Sequence, residues 1–394
     1  MTPYPFSQIA ILGNGITAKA VRKKILSLGL YEVSQEKAEL IVTSPGIPPW
    51  EFPKTTTPII SEVELAYRLF SYDVHMPTLI GITGTNGKST VTAMISHLLD
   101  NAPCAGNFGN PLIEFVGSNH PFLVVELSSY QLEQCVTFRP HIGILLNITP
   151  DHLERHHCIE AYSLSKMKLF ISQTPQDRAI FLDTPAIQDL FGSIQSQKTP
   201  FSNTHPLARH VSTLPLPGAH NQLNALAALL AVDALGMTVE PCIQKLFSFK
   251  GLPHRIEFVL EKNNRRYVND SKGTNPDSTQ IAIASFKDPI RLILGGKDKG
   301  LPLNNFLSFL EKNIASAVVY GEIASRLYTE ATSAHPSLDI TATSTLEEAL
   351  LLSEKASEPG DIILLSPACS SFDQFDNYEQ RGNFFKKKVH QFYG

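Results

Sequence analysis

Short apolar runs recur along the chain, and most of them end in glycine or a small polar residue just before a stretch with helical spacing begins. That alternation predicts strands that feed turns and then helices, as a mostly parallel α/β sheet requires. The segment "SQIAILGNGITAKAVRKKILSLGL" reads as a buried strand, a glycine turn and a helix, the opening of a Rossmann-like unit. Its Gly13-Asn14-Gly15-Ile16-Thr17-Ala18 departs from G-x-G-x-x-G at Ala18, so the turn fits either a phosphate site or a simple tight connection. "AELIVTSPGIPPW" repeats the design, with a strand from Leu40 to Thr43 emptying into Ser44-Pro45-Gly46. A helix is expected near Ser61 to Phe70, and the irregular "SYDVHMP" after it marks a first boundary.

Strand and helix alternate again from Thr78 to Ile82 through "PFLVVELSS" and "HIGILLNIT". A long apolar helix, "NQLNALAALLAVDALG", begins at "GAHN", and a second boundary falls at "FKGLPHRIEF". Beyond it "RLILGG", "SAVVYG" and "DIILLSPACS" read as strands that end in small or polar residues. The expected fold class is therefore α/β in three domains: a Rossmann-like N-terminal domain over residues 1–74, a central mostly parallel P-loop ATPase-like domain over 75–251, and a C-terminal Rossmann-like domain over 252–394.

A length of 394 residues suits several cores rather than one. The net charge of -4, with no basic tract, points away from a nucleic-acid or membrane-surface partner and toward a small polar substrate. Five cysteines without a C-x-x-C pair suit free thiols, and no apolar run approaches the ~18 residues that span a bilayer. The expectation is a soluble cytoplasmic monomer without membrane insertion.

"GITGTNGKST", residues 81–90, carries the chemistry. A strict Walker pattern wants glycine at position 82 and finds Ile82, yet Gly84, Thr85, Asn86, Gly87, Lys88, Ser89 and Thr90 lie where a strand becomes a helix. Backbone N–H groups and the helix N-terminus there favour an anion, Lys88 adds an ammonium, and a hydroxyl can ligate Mg²⁺. ATP is the expected ligand. Glu126 follows four apolar strand residues, so it is either a metal or cation partner or a solvated strand-end carboxylate. His152, His156 and His157 lie within six residues and suggest zinc, but no cysteine partner or H-E-x-x-H spacing supports that metal. Lys166, taken alone, reads as a solvated helix lysine.

The ordered set "GITGTNGKST", "GNFGNPL", "VVELSSYQLE", "NITPDHLERH", "YSLSKMKLF", "GAHNQLNALAA", "LPHRIE", "NDSKGTNPDST", "LGGKDKG" and "LLSPACSSFDQFDNYEQRGNFF" resembles the Mur ligases over nearly the whole chain. The central motifs are shared with folylpolyglutamate synthases, while "NDSKGTN" and "SPACSSFDQF" are most similar to the D-glutamate-adding members. The resemblance implies an ATP-dependent ligase that joins D-glutamate to UDP-N-acetylmuramoyl-L-alanine through an acyl phosphate, in peptidoglycan precursor synthesis. Rival readings are a ligase for another amino acid or for folate, and, from another class, a P-loop nucleotide switch.

By the same resemblance, Lys88, Ser89 and Thr90 bind ATP phosphates and Mg²⁺, Glu126 ligates the metal, and His152 holds a second magnesium. Lys166 matches a lysine carried as a carbamate, an anionic metal ligand. Asn221, Asn224, Arg255 and Asp270 match adenine, phosphate and ribose contacts. Lys272, Thr274, Lys299, Ser371, Phe372 and Tyr378 match the amino-acid site, with Lys297 a competitor for the role of Lys299. Asn107 and Gln131 would touch the muramoyl-alanine portion. Gly15, Ile16, Thr17, Ser44 and Gly46 would serve the uridine diphosphate, although "GLYEVSQEKAEL" is short and lacks the family's acidic uracil contact.

Overall fold

A computed structural model describes residues 4–216, 218–298, 300 and 302–394. The chain divides into two compact units, Met1–Leu214 with Gln222–Phe249, and Pro215–Asn221 with Lys250–Gly394. The first unit holds two sheets and the second holds one.

In the first unit, strands β1 (Gln8–Leu12), β2 (Tyr31–Glu32), β3 (Leu40–Thr43) and β4 (Ile59–Ser61) form a parallel sheet in the order β2-β1-β3-β4. The expected helix forms over Glu62–Phe70, and Ser61 caps it by accepting from the Glu64 N–H at 3.2 Å. A second parallel sheet uses β5 (Thr78–Thr83), β6 (Cys104–Gly106), β7 (Phe122–Glu126), β8 (Ile142–Leu145), β9 (Arg178–Leu182) and β10 (Gln197–Phe201), ordered β10-β9-β8-β5-β7-β6. Both sheets share one apolar core, in which Ile9, Val42 and Ile60 of the first join Leu79, Leu123 and Val125 of the second. The strand order reverses around β5, and the crevice beyond the carboxyl ends of β5, β7 and β8 is where such sheets bind ligands.

In the second unit, β11 (Glu257–Lys262) pairs antiparallel with β12 (Arg265–Asn269). The parallel strands β13 (Ile290–Gly295), β14 (Ser316–Tyr320), β15 (Ile340–Ala342) and β16 (Ile362–Ala368) complete the order β11-β12-β16-β13-β14-β15. The motifs "NDSKGTN", "LGGKDKG" and "SPACSSF" therefore leave the neighbouring strands β12, β13 and β16 at one end of the sheet. No helix among the described residues is long and apolar enough to cross a membrane.

Candidate active site

The 84–90 loop is built as the sequence suggests. Gly84 has φ +147° and Gly87 φ +88°, a region that favours glycine, and Gly87 caps the helix Lys88–Leu98. A Cβ on Gly87 would lie 2.5 Å from Asn224 Oδ1, so the missing side chain is what lets Asn224 approach the loop. Lys88 Nζ folds back to donate to the carbonyls of Gly84 and Thr85, both at 2.8 Å. Ser89 and Thr90 are buried in the first helical turn.

Three residues with no sequence-assigned role hold the loop. Thr85 N donates to Asn147 O at 2.9 Å, Asn86 N donates to Asn147 Oδ1 at 2.8 Å, and Thr149 N donates to Thr85 Oγ1 at 3.0 Å. The Tyr162 hydroxyl lies 3.2 Å from Thr85 Oγ1. The one sequence signal for Asn147 was an amide directly after the apolar run of β8.

Lys166 is not a solvated lysine: it is 1% exposed, and its Nζ donates to Gly84 O at 2.9 Å, the same oxygen that Lys88 engages. It also sits 4.3 Å from the centre of the Tyr162 ring. Burial above all, and then the Lys88 charge, push the Lys166 amine well below the usual lysine range, while Asp151 and Glu126 pull the other way. Lys168, two positions along, donates instead to the Glu133 carbonyl. Glu126 is 1% exposed at the end of β7 and accepts from Asn107 Nδ2 at 2.6 Å. Gln131 is buried, and its amide oxygen closes a capping box with Ser128.

The histidines point three ways. His152 Nδ1 lies 3.0 Å from the Tyr130 hydroxyl, and its Nε2 lies 3.8 Å from Asp151 Oδ2. His156, lowered mainly by burial, lies 2.9 Å from Ser129 Oγ through Nε2, whereas the His157 ring meets that of Trp50 at 6.0 Å. Among the described residues no group of three or more His, Cys, Asp or Glu is arranged to hold a metal ion. An oxygen-rich set with a single imidazole suits magnesium better than zinc.

The two N-terminal turns meet because β1 and β3 pair as far as Leu12 and Thr43. A Cβ on Gly13 (φ +107°) would lie 2.5 Å from Ser44 Oγ, so Gly15, Ile16 and Thr17 share one strand-end ledge with Ser44 and Gly46. At the end of β2, Glu32 accepts from Arg22 Nε at 3.0 Å, and Arg22 reaches Asn14 of the same turn at 3.5 Å.

In the second unit, Asp270 accepts from Ser366 Oγ at 2.7 Å and from the Ile256 N–H at 3.2 Å. Burial raises its carboxyl to about 7 against the opposing pull of Ser366 and of the Arg255 and Arg381 charges. His220, beside Asn221, is lowered to about 4 by burial and by Arg255. Asn221 thus belongs with Arg255 and Asp270, whereas Asn224 belongs to the first unit. Lys272 Nζ lies 5.0 Å from the Tyr378 ring centre, and Thr274 N donates to Lys272 O at 2.9 Å. Lys297 N donates to Ser370 O at 2.9 Å, which brings the "GGKDKG" loop to buried Ser371 and to Phe372, 67% exposed. Lys299 lies outside the described residues. Sequence reading missed Arg381, wholly buried, whose guanidinium donates to Ser271 Oγ at 2.9 Å and to Cys369 O at 3.1 Å, tying the ends of β12 and β16 together.

Fold and site together define a phosphate-loop nucleotide-binding α/β protein in which two lysines converge on the loop. Comparison with known proteins narrows this class: the Mur ligase middle domain matches residues 82–204, and the Mur ligase, glutamate ligase domain matches residues 254–369. The UDP-N-acetylmuramoylalanine–D-glutamate ligase of Pelotomaculum thermopropionicum is 39% identical over 92% of this chain and 86% of its own length. The protein of that name from Clostridioides difficile is 37% identical over 92% and 86%. The chain belongs to the Mur ligase family. Among solved structures, the MurF ligase of Thermotoga maritima in complex with ADP matches with a TM-score of 0.64 at 18% identity, over 99% of this chain and 96% of that one. E. coli FolC in complex with DHPP and ADP matches at 0.61 and 16%, over 88% and 99%. At such identities these two speak for the fold alone.

Proposed function

We propose that this protein is an ATP-dependent ligase that adds D-glutamate to UDP-N-acetylmuramoyl-L-alanine, a cytoplasmic step of peptidoglycan precursor synthesis carried out by a monomer. The observation that carries the reading is the pair of lysines sharing Gly84 O beside buried Glu126, on a chain whose relatives at 35–39% identity bear that enzyme's name. Residues 1–74 would take the sugar nucleotide, 75–251 the ATP phosphates, and 252–394 the ribose and the incoming amino acid.

The alanyl carboxylate oxygen attacks the γ-phosphorus of ATP, the bond to ADP breaks, and an acyl phosphate forms. The D-glutamate amine then attacks the acyl carbon, phosphate leaves, and the nitrogen loses a proton to give the amide. Lys88 and the N–H groups that open the helix Lys88–Leu98 neutralise charge that builds on the transferred phosphoryl group. Asn224 reaches the same loop, Asp270 offers carboxylate oxygens to ribose hydroxyls, and Ser371, Thr274, Lys272 and Tyr378 line the end of the second unit's sheet for D-glutamate.

Ser89, Thr90, Glu126, His152 and a carbamate on Lys166 would hold two magnesium ions, which supply Lewis-acid neutralisation of phosphoryl charge when bound. The residues fit that donor set. An acid buried at a strand end suits a cation partner, and burial favours the neutral Lys166 amine that carbamate formation needs. The nitrogen lone pair adds to CO₂ and a proton leaves, which turns a group that would repel a cation into one that attracts it.

Phosphate release in the presence of ATP and UDP-N-acetylmuramoyl-L-alanine, with and without D-glutamate, tests the function. Turnover should require all three and fail with L-glutamate or L-lysine in place of D-glutamate. Release that ignores the amino acid would refute the reading.

A further inference from the structure

We propose that Arg155 is a positioning residue that locks the turn Ser44–Ile47 to the imidazole of His152, an inference that rests on the ligase reading for what those two places bind. Arg155 lies in the one-turn helix Leu153–His156, framed by His152 at φ +54° and His157 at φ +66°. Left-handed backbone at two non-glycine residues is held only where surrounding contacts over-determine it.

Arg155 supplies such contacts. It is 8% exposed, and its Nε and Nη2 clasp the Glu133 carboxylate at 2.9 and 2.6 Å. Nη1 donates to Pro45 O at 2.8 Å and Nη2 to Ile47 O at 3.2 Å, both in the turn that carries Ser44 and Gly46. The face of the guanidinium lies 4.2 Å from the centre of the Tyr130 ring, and the Tyr130 hydroxyl lies 3.0 Å from His152 Nδ1. One planar fork thus fixes the turn proposed for the sugar nucleotide on one side and, through Tyr130, the histidine proposed for magnesium on the other. The phosphate loop is held by a different set, Asn147, Thr149 and Tyr162. Loss of Arg155 should therefore separate the substrates. A lysine keeps the charge but cannot clasp a carboxylate and reach two carbonyls at once.

The test compares full-length wild type with Arg155→Lys, and with Glu133→Gln, which leaves the arginine but removes the charge that aims it. KM for UDP-N-acetylmuramoyl-L-alanine should rise roughly ten- to thirtyfold in Arg155→Lys, the loss of one or two charge-assisted hydrogen bonds, while KM for ATP changes less than about twofold. Glu133→Gln should show the same split, smaller. Amide exchange in residues 44–50 should speed up in both variants, with the loop 84–90 unchanged. Exchange reports the strut without any substrate, so wild type that exchanges as expected but fails to ligate D-glutamate refutes the enzyme reading and leaves the strut standing. Ligation by wild type, with all KM values raised together or with unchanged exchange at 44–50, overturns the strut.

Discussion

Lys166→Met should abolish ligation and at the same time make the protein more stable. The substitution removes an amine but nearly preserves the volume, so it leaves no large cavity in a site that is 1% exposed. Burial and the neighbouring Lys88 push the wild-type amine below the ordinary lysine pKa. The folded state therefore binds fewer protons than the unfolded state over the window between the lowered value and the ordinary one. Stability rises with pH through that window, and the full penalty is present only below its lower edge. Each unit of depression costs ~1.4 kcal/mol there, and loss of the Tyr162 contact in the variant returns about 0.5–1 kcal/mol. Calorimetry in bicarbonate-free buffer at pH 7 should show Tm raised, by about 2–4 °C for each net kcal/mol. Steady-state phosphate release should fall by roughly a factor of a thousand, the scale of losing one preorganised electrostatic group at a phosphoryl-transfer site. Acetate should partly restore activity in Lys166→Ala, where there is room for it. In wild type, ¹³C-labelled bicarbonate should give a carbamate resonance that Lys166→Ala lacks. An active, magnesium-bound enzyme with an unmodified Lys166 would refute the carbamate, and a Lys166→Met variant less stable than wild type would refute the electrostatic argument beneath it.

Glu126→Gln exchanges an anionic donor for a neutral one, so the Mg²⁺ concentration for half-maximal activity should rise roughly tenfold; an unchanged metal titration returns Glu126 to a structural role. Ser371→Ala should raise KM for D-glutamate by about tenfold and leave that for ATP alone; equal effects on both would detach this residue from the amino acid. Asp270→Asn tests a pH dependence. The folded carboxyl sits at about 7 against an ordinary 3.8, so wild-type stability should fall as pH rises from about 4 to about 7, a slope the variant loses. The variant should also bind ADP more weakly at pH 8, read by calorimetry, because the ribose acceptor is weakened. Lys168→Ala removes a tie to the Glu133 carbonyl rather than to Gly84 O, so its turnover should stay within about threefold of wild type; a loss as deep as that of Lys166→Ala would undo the distinction between the two lysines.

Local pattern carried the elements it named because each rests on a local cause, but it named no strand at β2, β4, β6, β9 to β12 or β15. The helix expected near Ser61 forms over Glu62–Phe70 because Ser61 caps it, and the strand expected over 78–82 runs to Thr83, where Gly84 turns the chain. The phosphate loop was legible for the same reason: its glycines, lysine and hydroxyls are consecutive, and their geometry follows from the strand-to-helix junction. Pattern did not show that the first two sheets share one core, since Ile60 and Leu123 join one cluster only after both sheets exist. It missed Arg155 and Arg381 because each side chain has a partner 110 residues away, at Pro45 and at Ser271, and no periodicity of 2 or 3.6 encodes such a pair.

Lys166 shows why the rest of the site resisted reading. On the helix Ile159–Met167 the exposed side chain at position 164 is a leucine, and the buried one at 166 is a lysine, the reverse of what packing alone would select. A rule based on burial propensity turns Lys166 outward, which is where sequence pattern alone leaves it. The inversion stands because the energetic cost falls on one residue while the gain is chemical. On the proposed reading, an amine whose charged form burial disfavours takes up CO₂ and becomes the anion that a second cation needs. Arg155 follows the opposite logic, a charge buried against a carboxylate and two carbonyls so that it stays inert and rigid. A buried cation with satisfied partners is therefore a strut, and one whose charged form the fold disfavours is a candidate for chemistry.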